Sequence, residues 1–478
     1  VIVSTTSGEV RGEVVEGVTR FLSIPYAAAP VGELRFAPPV PAPAWDGVRD
    51  GTEPGPNAPQ TNRNVAGFDL GPLVGPGWRK GPDYLTVDVY TPDTAAAGLP
   101  VLVFIHGGGF LAGTGSAAVY DGSAFTREGA VLVTLNYRVG IEGFLPLEGG
   151  ATNLGLRDQI AALGWVRDNV AAFGGDPGNV TVFGQSAGAM SVACLLASPL
   201  AEGLFRRGIV QSGHAEMVRP LEQARKLADH LAKALDVPAT AEAFRSIPAE
   251  DLLAAQEALT VPGGSPDLRD ADGFDPGFGL STFMPLFGDD MLPEHPGRAI
   301  ESGAGEGVDL IVGSCRDEMA LYLVPTGAID VLTDEQLVAM MSKSHPDPLP
   351  TLERHGLGQN GRSAGEVAVP ALTELVFRAP ARRLAEAHQG RTYCYEFDWR
   401  GPLFDGRLGA CHGIDLPFVF NNLDVASGLV GESAPKGVAE LLNQSWVRFA
   451  ATGDPGWPEY DGGRAVLHVN SASEVRPD

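Results

Sequence analysis

Short runs of consecutive apolar residues, rich in β-branched side chains, recur along the chain. They fall at 101–105 (VLVFI), 131–135 (VLVTL), 180–183 (VTVF), 208–212 (GIVQS) and 309–313 (DLIVG). Apolar residues at successive positions place hydrophobic groups on both faces of a strand, the pattern of a parallel sheet covered on both sides. The stretch 156–172 instead puts Ile160, Leu163, Trp165, Val166 and Val170 near one face of a helix. Such alternation predicts an α/β fold with a central, mostly parallel sheet flanked by helices. TYCYEFDW (392–399) alternates and reads as a late strand. Residues 38–60 are rich in Pro and Gly. Strand-like segments lie on both sides, so they read as a surface wrap rather than a linker. Residues 221–300 and 320–390 read as helix-rich insertions covering the sheet edge and the site. No fixed internal period is visible. The expectation is a single unit over residues 1–478.

Composition narrows the function classes. The formal charge is −25 and the sequence pI about 4.7. That excludes the basic footprint of a nucleic-acid binder, and an anionic membrane surface would repel the chain. The acidity reads as a solubility device. The four cysteines, Cys194, Cys315, Cys394 and Cys411, form no C-x-x-C pair. A zinc site or thioredoxin motif is therefore not expected, and reduced thiols are. No run of eighteen apolar residues suggests a membrane span. The opening VIVSTTSGEV has no basic-then-apolar leader. A cytoplasmic monomer or small homo-oligomer is expected, with secretion left open to a processed or trimmed terminus.

The chemistry begins at TVFGQSAGAM (181–190), where Ser186 stands in a G-x-S-x-G pattern. That pattern can form a sharp strand-to-helix turn presenting a serine hydroxyl at the head of a sheet. In a chain with 62 glycines the match is weak by itself. Upstream, HGGGF (106–110) directly follows the apolar run 101–105. Three glycines let backbone N–H groups face a cavity and hold the negative oxygen of a tetrahedral intermediate. Two independent matches in the order expected of an α/β-hydrolase reinforce each other.

A serine nucleophile needs a base. His412, in GACHGIDLPFVF (409–420), follows the late strand and fits the chain order Ser, acid, His. His214, just after 208–212, is a weaker candidate. His106 belongs to the Gly loop, while His230 and His388 read as surface residues in charged helical stretches. The acid that orients the imidazole should follow a strand between Ser186 and His412. DLIVGSCRDEMA (309–320) offers both Asp317 and Glu318 there, and the residues alone do not choose.

These stretches, with FLSIPYAAAPVGELRF (21–36), NYRVGIEGFL (136–145), NLGLRDQ (153–159), FGGDPGNVTVFGQSAGAMS (173–191) and FRRGIVQSG (205–213), resemble the type-B carboxylesterases across nearly the whole chain. That family includes bacterial p-nitrobenzyl-type esterases and cholinesterases. The resemblance implies a triad of Ser186, Glu318 and His412. It implies an oxyanion hole from the N–H groups of Gly108, Gly109 and Ala187, and a supporting buried Ser212. Arg138 and Asp158 resemble a structural ion pair. Departures are Met319 where the family usually has Gly, and Tyr84 and Pro82 where it has Cys and Glu. These imply no early disulfide, no Glu partner for Arg35, and a bacterial rather than a secreted animal relative.

The expected activity is hydrolysis of neutral carboxylic esters through an acyl-enzyme on Ser186, with no metal or cofactor. A carbamate or anilide hydrolase with the same triad is the alternative, and a non-catalytic adhesion homologue the remote one. By resemblance, FGLSTFMPLFG (278–288) lies near the acyl pocket, making Phe278, Leu280 and Phe283 candidate wall residues. Gln185 stands where many relatives carry Glu, so its neutrality should disfavour cationic choline esters. Trp78 lies in the loop that carries a choline-binding tryptophan in cholinesterases, but it is not identifiable as that residue.

Overall fold

The computed structural model describes residues 1–62, 67–261, 263–359 and 361–478. A mixed eleven-stranded sheet is built, in chain order, from β1 (Glu13–Val15), β2 (Val18–Pro25), β3 (Thr86–Thr91), β4 (Leu99–Ile105), β5 (Val131–Leu135), β6 (Gly175–Gln185), β7 (Arg207–Gln211), β8 (Asp309–Cys315), β9 (Thr392–Phe397), β10 (Ala465–Val469) and β11 (Glu474–Pro477). Across the sheet the order is β11-β10-β9-β8-β7-β6-β4-β5-β3-β2-β1. The seven strands from β10 to β5 are mutually parallel. The outer strands β1, β2, β3 and β11 pair antiparallel.

The double-sided burial read from the sequence has a direct structural counterpart. Along β4, Val101, Val103 and Ile105 enter one hydrophobic core, and Leu102 and Phe104 enter the other. The Phe104 ring packs against Tyr120, Phe183 and Phe420 at centroid distances of 4.5, 4.9 and 5.0 Å. The expected helix at 156–172 is α1 (Leu154–Asn169), which tightens into a 3-10 turn over Val170–Phe173. Residues 38–60 are largely irregular. They add only Val48–Asp50 to a small sheet with Ile2–Ser4 and Glu9–Arg11.

The segment 221–300 holds the helices Leu221–Ala234, Ala241–Arg245, Ala249–Ala258 and Pro296–Glu301, with irregular chain before the last. The segment 320–390 is helical for much of its length and ends in Ala364–Thr373, a π turn over Glu374–Arg378, and Ala379–Ala387. Among the described residues, no helix is long and apolar enough to cross a membrane.

Two arginines inside the fold pair with carboxylates. Arg138 Nε and Nη2 donate to the two oxygens of Asp158 at 2.8 and 2.7 Å, with both side chains at most 1% exposed. The missing partner expected for Arg35 is present from another source. Glu142, in the short helix Gly140–Phe144, accepts from Arg35 Nη2 at 2.7 Å. Tyr84 OH donates to the second oxygen of Glu142 at 2.9 Å. The aromatic residue at the Cys position thus braces the replacement carboxylate. His388 is another correction: it is buried, contacting Thr392 Oγ1 at 2.8 Å and Gly305 O at 3.1 Å. Its charged neighbours in sequence hid a ring turned inward.

Parallel strands share a direction, so their C-terminal ends open on one edge of the sheet. The loop after β4 carries HGGGF, the turn after β6 carries Ser186, and the loop after β8 carries Glu318. The loop after β9 carries His412. Four distant segments therefore meet at one edge, where open α/β sheets place their ligands.

Candidate active site

β6 ends at Gln185, and helix α2 (Ala187–Ala197) begins at Ala187. Ser186 between them has φ 57° and ψ −124°. Such a positive φ is costly for a side-chain-bearing residue, so surrounding bonds must hold it. Ser186 N–H donates to Gln211 O at 2.9 Å, and Met190 N–H donates to Ser186 O at 2.9 Å. The strand and helix approach so closely that a Cβ on Gly188 would lie 2.0 Å from Ile105 O. Ala187 N–H is a first-turn donor at the positive end of the helix dipole.

The HGGGF loop faces the same turn. Gly108 and Gly109 have φ of 113° and 65°. A Cβ on Gly108 would lie 2.0 Å from Ala112 O, so that position admits only glycine. His106 is buried, and its Nδ1–H donates to Gly107 O at 2.7 Å. Burial lowers its pKa to about 4, so it remains a neutral strut.

His412 Nδ1–H donates to Glu318 Oε2 at 2.5 Å. Glu318 is fully buried, and its Oε1 accepts Cys315 N–H at 2.7 Å. With Nδ1 as donor, the His412 Nε2 lone pair is free to accept, and Gln185 Nε2 lies 3.2 Å away. Phe377 and Tyr322 flank the imidazole at centroid distances of 4.8 and 5.7 Å. Asp317, left open beside Glu318 by the sequence, faces elsewhere. Its Oδ2 accepts from Arg400 Nη1 at 2.8 Å and Ala410 N–H at 3.0 Å. Met319 adopts φ −73° and ψ −7°, a conformation open to any residue, so the departure from Gly leaves this turn unstrained.

His214 lies outside this arrangement. It is buried, its Nδ1 accepts Glu216 N–H at 3.1 Å, and burial pushes its pKa to about 4. Ser212 is fully buried with φ 54°; its hydroxyl lies 3.9 Å from Cys315 Sγ rather than on His412 or Glu318. Asp415, three residues after His412, is fully buried and belongs to no motif that marks it in the sequence. Asp415 Oδ2 accepts from Gln211 Nε2 at 3.0 Å and Tyr395 OH at 3.2 Å, and Trp446 Nε1 donates to Gln211 Oε1 at 3.2 Å. Burial raises the Asp415 pKa above the ordinary carboxylate range. The clue was a charge inside the apolar run GIDLPFVF, which calls for buried partners.

Ser186, His412, Gln185, Gly108, Gly109 and Ala187 all line one cavity of about 340 Å³. The rest of its wall is mainly apolar, including Leu73, Met190, Met217, Leu321, Phe377 and Leu416. Among the described residues, no Asp, Glu, Lys or Arg lines it. Of the three candidate wall residues, Leu280 faces the cavity. Phe283 is instead 1% exposed in the core, and Phe278 packs edge-on against Phe274 at 5.7 Å. The chain turns at Phe278, whose φ is 46°, so neighbouring apolar residues diverge. Trp78 is also outside the cavity lining and stacks beneath Lys80 Nζ at 4.8 Å.

The model of the carboxylesterase family matches residues 1–469. The chain is 38% identical to a para-nitrobenzyl esterase of Bacillus subtilis (strain 168), covering 100% of this chain and 96% of that protein. It is 35% identical to a phenmedipham hydrolase of Pseudarthrobacter oxydans, covering 100% and 97%. A solved carboxylesterase of Geobacillus stearothermophilus is similar in structure, with a TM-score of 0.86, 34% identity, and coverage of 100% of this chain and 98% of that one.

Proposed function

The chain belongs to the carboxylesterase family and is a serine carboxylesterase of the α/β-hydrolase fold; from that premise we propose that Ser186, His412 and Glu318 carry its catalysis. Ser186 Oγ attacks the ester carbonyl while His412 Nε2 takes its proton. The carbonyl oxygen becomes an oxyanion held by the N–H groups of Gly108, Gly109 and Ala187. His412 then gives the proton to the departing alkoxide, leaving an acyl-enzyme. Water attacks this ester with His412 again as base, and the carboxylic acid leaves. Glu318 holds the imidazole in the Nδ1–H tautomer and stabilises the imidazolium. The observation carrying this reading is the 2.5 Å bond from His412 Nδ1 to a fully buried Glu318, behind an imidazole that shares a cavity with Ser186.

Among the described residues, no hydrogen bond joins Ser186 Oγ to His412. The Gln185 amide occupies Nε2, and a bound ester would bring serine and imidazole together, since such bonds tighten in the substrate complex. The substrate class follows from the wall: an apolar cavity without charged side chains favours a neutral ester of modest size. We read residues 1–478 as one catalytic unit, because the 221–300 and 320–390 segments supply Leu280, Tyr322 and Phe377 to the cavity. Kinetics of Ser186→Ala on a neutral aryl ester test the reading. Turnover should vanish with the fold intact; unchanged hydrolysis would overturn it. Parallel assay of a carbamate and an anilide distinguishes the alternative that uses the same residues.

A further inference from the structure

The carbonyls of the oxyanion loop are pinned one by one, each by a different group. Gly107 O accepts from His106 Nδ1 at 2.7 Å. Gly108 O accepts from the N–H groups of Leu111 and Ala112 at 3.1 and 3.2 Å. Phe110 O accepts from Gly140 N–H at 2.6 Å. Gly109 O accepts from a side chain 172 residues away, the hydroxyl of Ser281 at 2.6 Å. That carbonyl belongs to the peptide between Gly109 and Phe110, whose plane sets the ψ of Gly109 and the φ of Phe110. Phe110 has φ 59°, strained for a bulky residue, while its side chain is fully buried. Relaxing the φ of Phe110 would turn this peptide and shift Gly109 Cα, carrying with it the Gly109 N–H of the preceding peptide, a proposed oxyanion donor.

Ser281 is suited to hold the peptide. It is 6% exposed, lines the catalytic cavity, and shares its single hydroxyl proton between Gly109 O and a second carbonyl, Phe283 O, also at 2.6 Å. The loop carrying it is tied down from behind by the buried Arg219. Arg219 Nη1 donates to Thr282 O at 3.0 Å and Nη2 to Asp275 Oδ1 at 2.7 Å. A rigid loop thus reaches across the cavity to one peptide of the oxyanion loop.

We propose that Ser281 is a positioning residue, its hydroxyl clamping the Gly109–Phe110 peptide so that Gly109, and with it the N–H of the adjoining peptide, keeps its place against the oxyanion. The inference rests on the catalytic reading above. It couples the wall bearing Leu280 to transition-state stabilisation.

The test compares Ser281→Ala with Ser281→Thr on a neutral aryl ester, together with inhibition by a trifluoromethyl ketone and by a simple alcohol. The ketone forms a tetrahedral oxyanion with the active serine; the alcohol only fills the cavity. Losing one oxyanion donor costs about 100- to 1,000-fold in kcat, so misaiming one should cost on the order of 10- to 100-fold. Ser281→Ala should lower kcat by that factor with KM within about twofold. Ketone affinity should fall in parallel, alcohol affinity should hold, and Thr should restore most of the loss. Should Ser281→Ala fail to fold, Ser281→Cys, a weak donor of similar size, carries the same comparison. Unchanged kcat and ketone affinity would overturn the proposal, as would equal weakening of ketone and alcohol. Fluorophosphonate labelling at Ser186 is read alongside: its absence from the unmodified protein would sink the catalytic reading rather than the clamp.

Discussion

Replacing Glu318 with Gln should cost more than its near-isosteric shape suggests. Glu318 Oε1 accepts Cys315 N–H at 2.7 Å, and Oε2 accepts His412 Nδ1–H at 2.5 Å. A glutamine has one acceptor oxygen, and the backbone N–H of Cys315 can only donate. The amide oxygen must therefore turn to Cys315, placing the NH₂ against His412 Nδ1. To accept from that NH₂, the imidazole must move its proton to Nε2, which removes the base. The charge is lost as well. With charge centres about 4 Å apart and an effective dielectric near 20, the carboxylate stabilises the imidazolium by roughly 4 kcal/mol, or about a thousandfold in rate. Tautomer and charge together predict a loss of about 10³- to 10⁴-fold in kcat/KM for Glu318→Gln. Asp317→Asn removes only a contact to the exposed Arg400 and a backbone cap, and should stay within about tenfold. The assay is steady-state hydrolysis of p-nitrophenyl butyrate, with thermal melts to confirm folding. A loss below tenfold for Glu318→Gln, or a greater loss for Asp317→Asn, would rule out Glu318 as the group that orients His412.

Other consequences are measurable in the same preparations. Leu280→Ala should shift preference towards longer acyl chains, by up to about fourfold per added methylene at ~0.8 kcal/mol each, whereas Phe278→Ala, outside the cavity lining, should leave the chain-length profile flat; a shift confined to Phe278→Ala would misplace the pocket. Butyrate esters of neutral alcohols should be cleaved far better than butyrylcholine, and Gln185→Glu should narrow the gap by at most roughly 3 kcal/mol at about 6 Å and a dielectric near 20; equal kcat/KM for both esters in the unmodified enzyme would contradict this. Asp158→Asn leaves Arg138 buried without its carboxylate, so denaturant titration should show a loss of about 3–5 kcal/mol; a loss under 1 kcal/mol would count against it. His106 and His214, both held near pKa 4 by burial, bind fewer protons folded than unfolded between about pH 6.5 and 4. Stability should therefore fall as pH drops through that window, by up to roughly 1.4 kcal/mol per pH unit per histidine, and His214→Asn should flatten the slope; an unchanged slope would exclude His214 as a source.

What could be read from the sequence was local. Double-sided strands such as β4 declare themselves because every position is apolar. The edge strand β11 is exposed throughout and carries no such signal. The nucleophile turn and Gly loop were legible because their geometry demands glycine at fixed spacing. Glu318 could be chosen over Asp317 only by resemblance, since the two differ in direction rather than in chemistry. The cavity wall was mostly hidden. Leu73, Met190, Leu321, Phe377 and Leu416 come from distant elements, and none shows a local period that marks it as wall rather than core. The carboxylate partner of Arg35 is not legible locally because Glu142 approaches from another part of the chain. Ser281 stands between two apolar residues and its partner lies across the cavity, so nothing local marks it.

Whether Ser186 is the nucleophile is decided by peptide mass mapping after treatment with a fluorophosphonate, because that reagent phosphonylates an activated serine and reports its position. One adduct per chain is expected, on the peptide carrying Ser186, formed in step with loss of esterase activity and absent from Ser186→Ala. An adduct on a different residue, or full esterase activity in protein already labelled at Ser186, would contradict it.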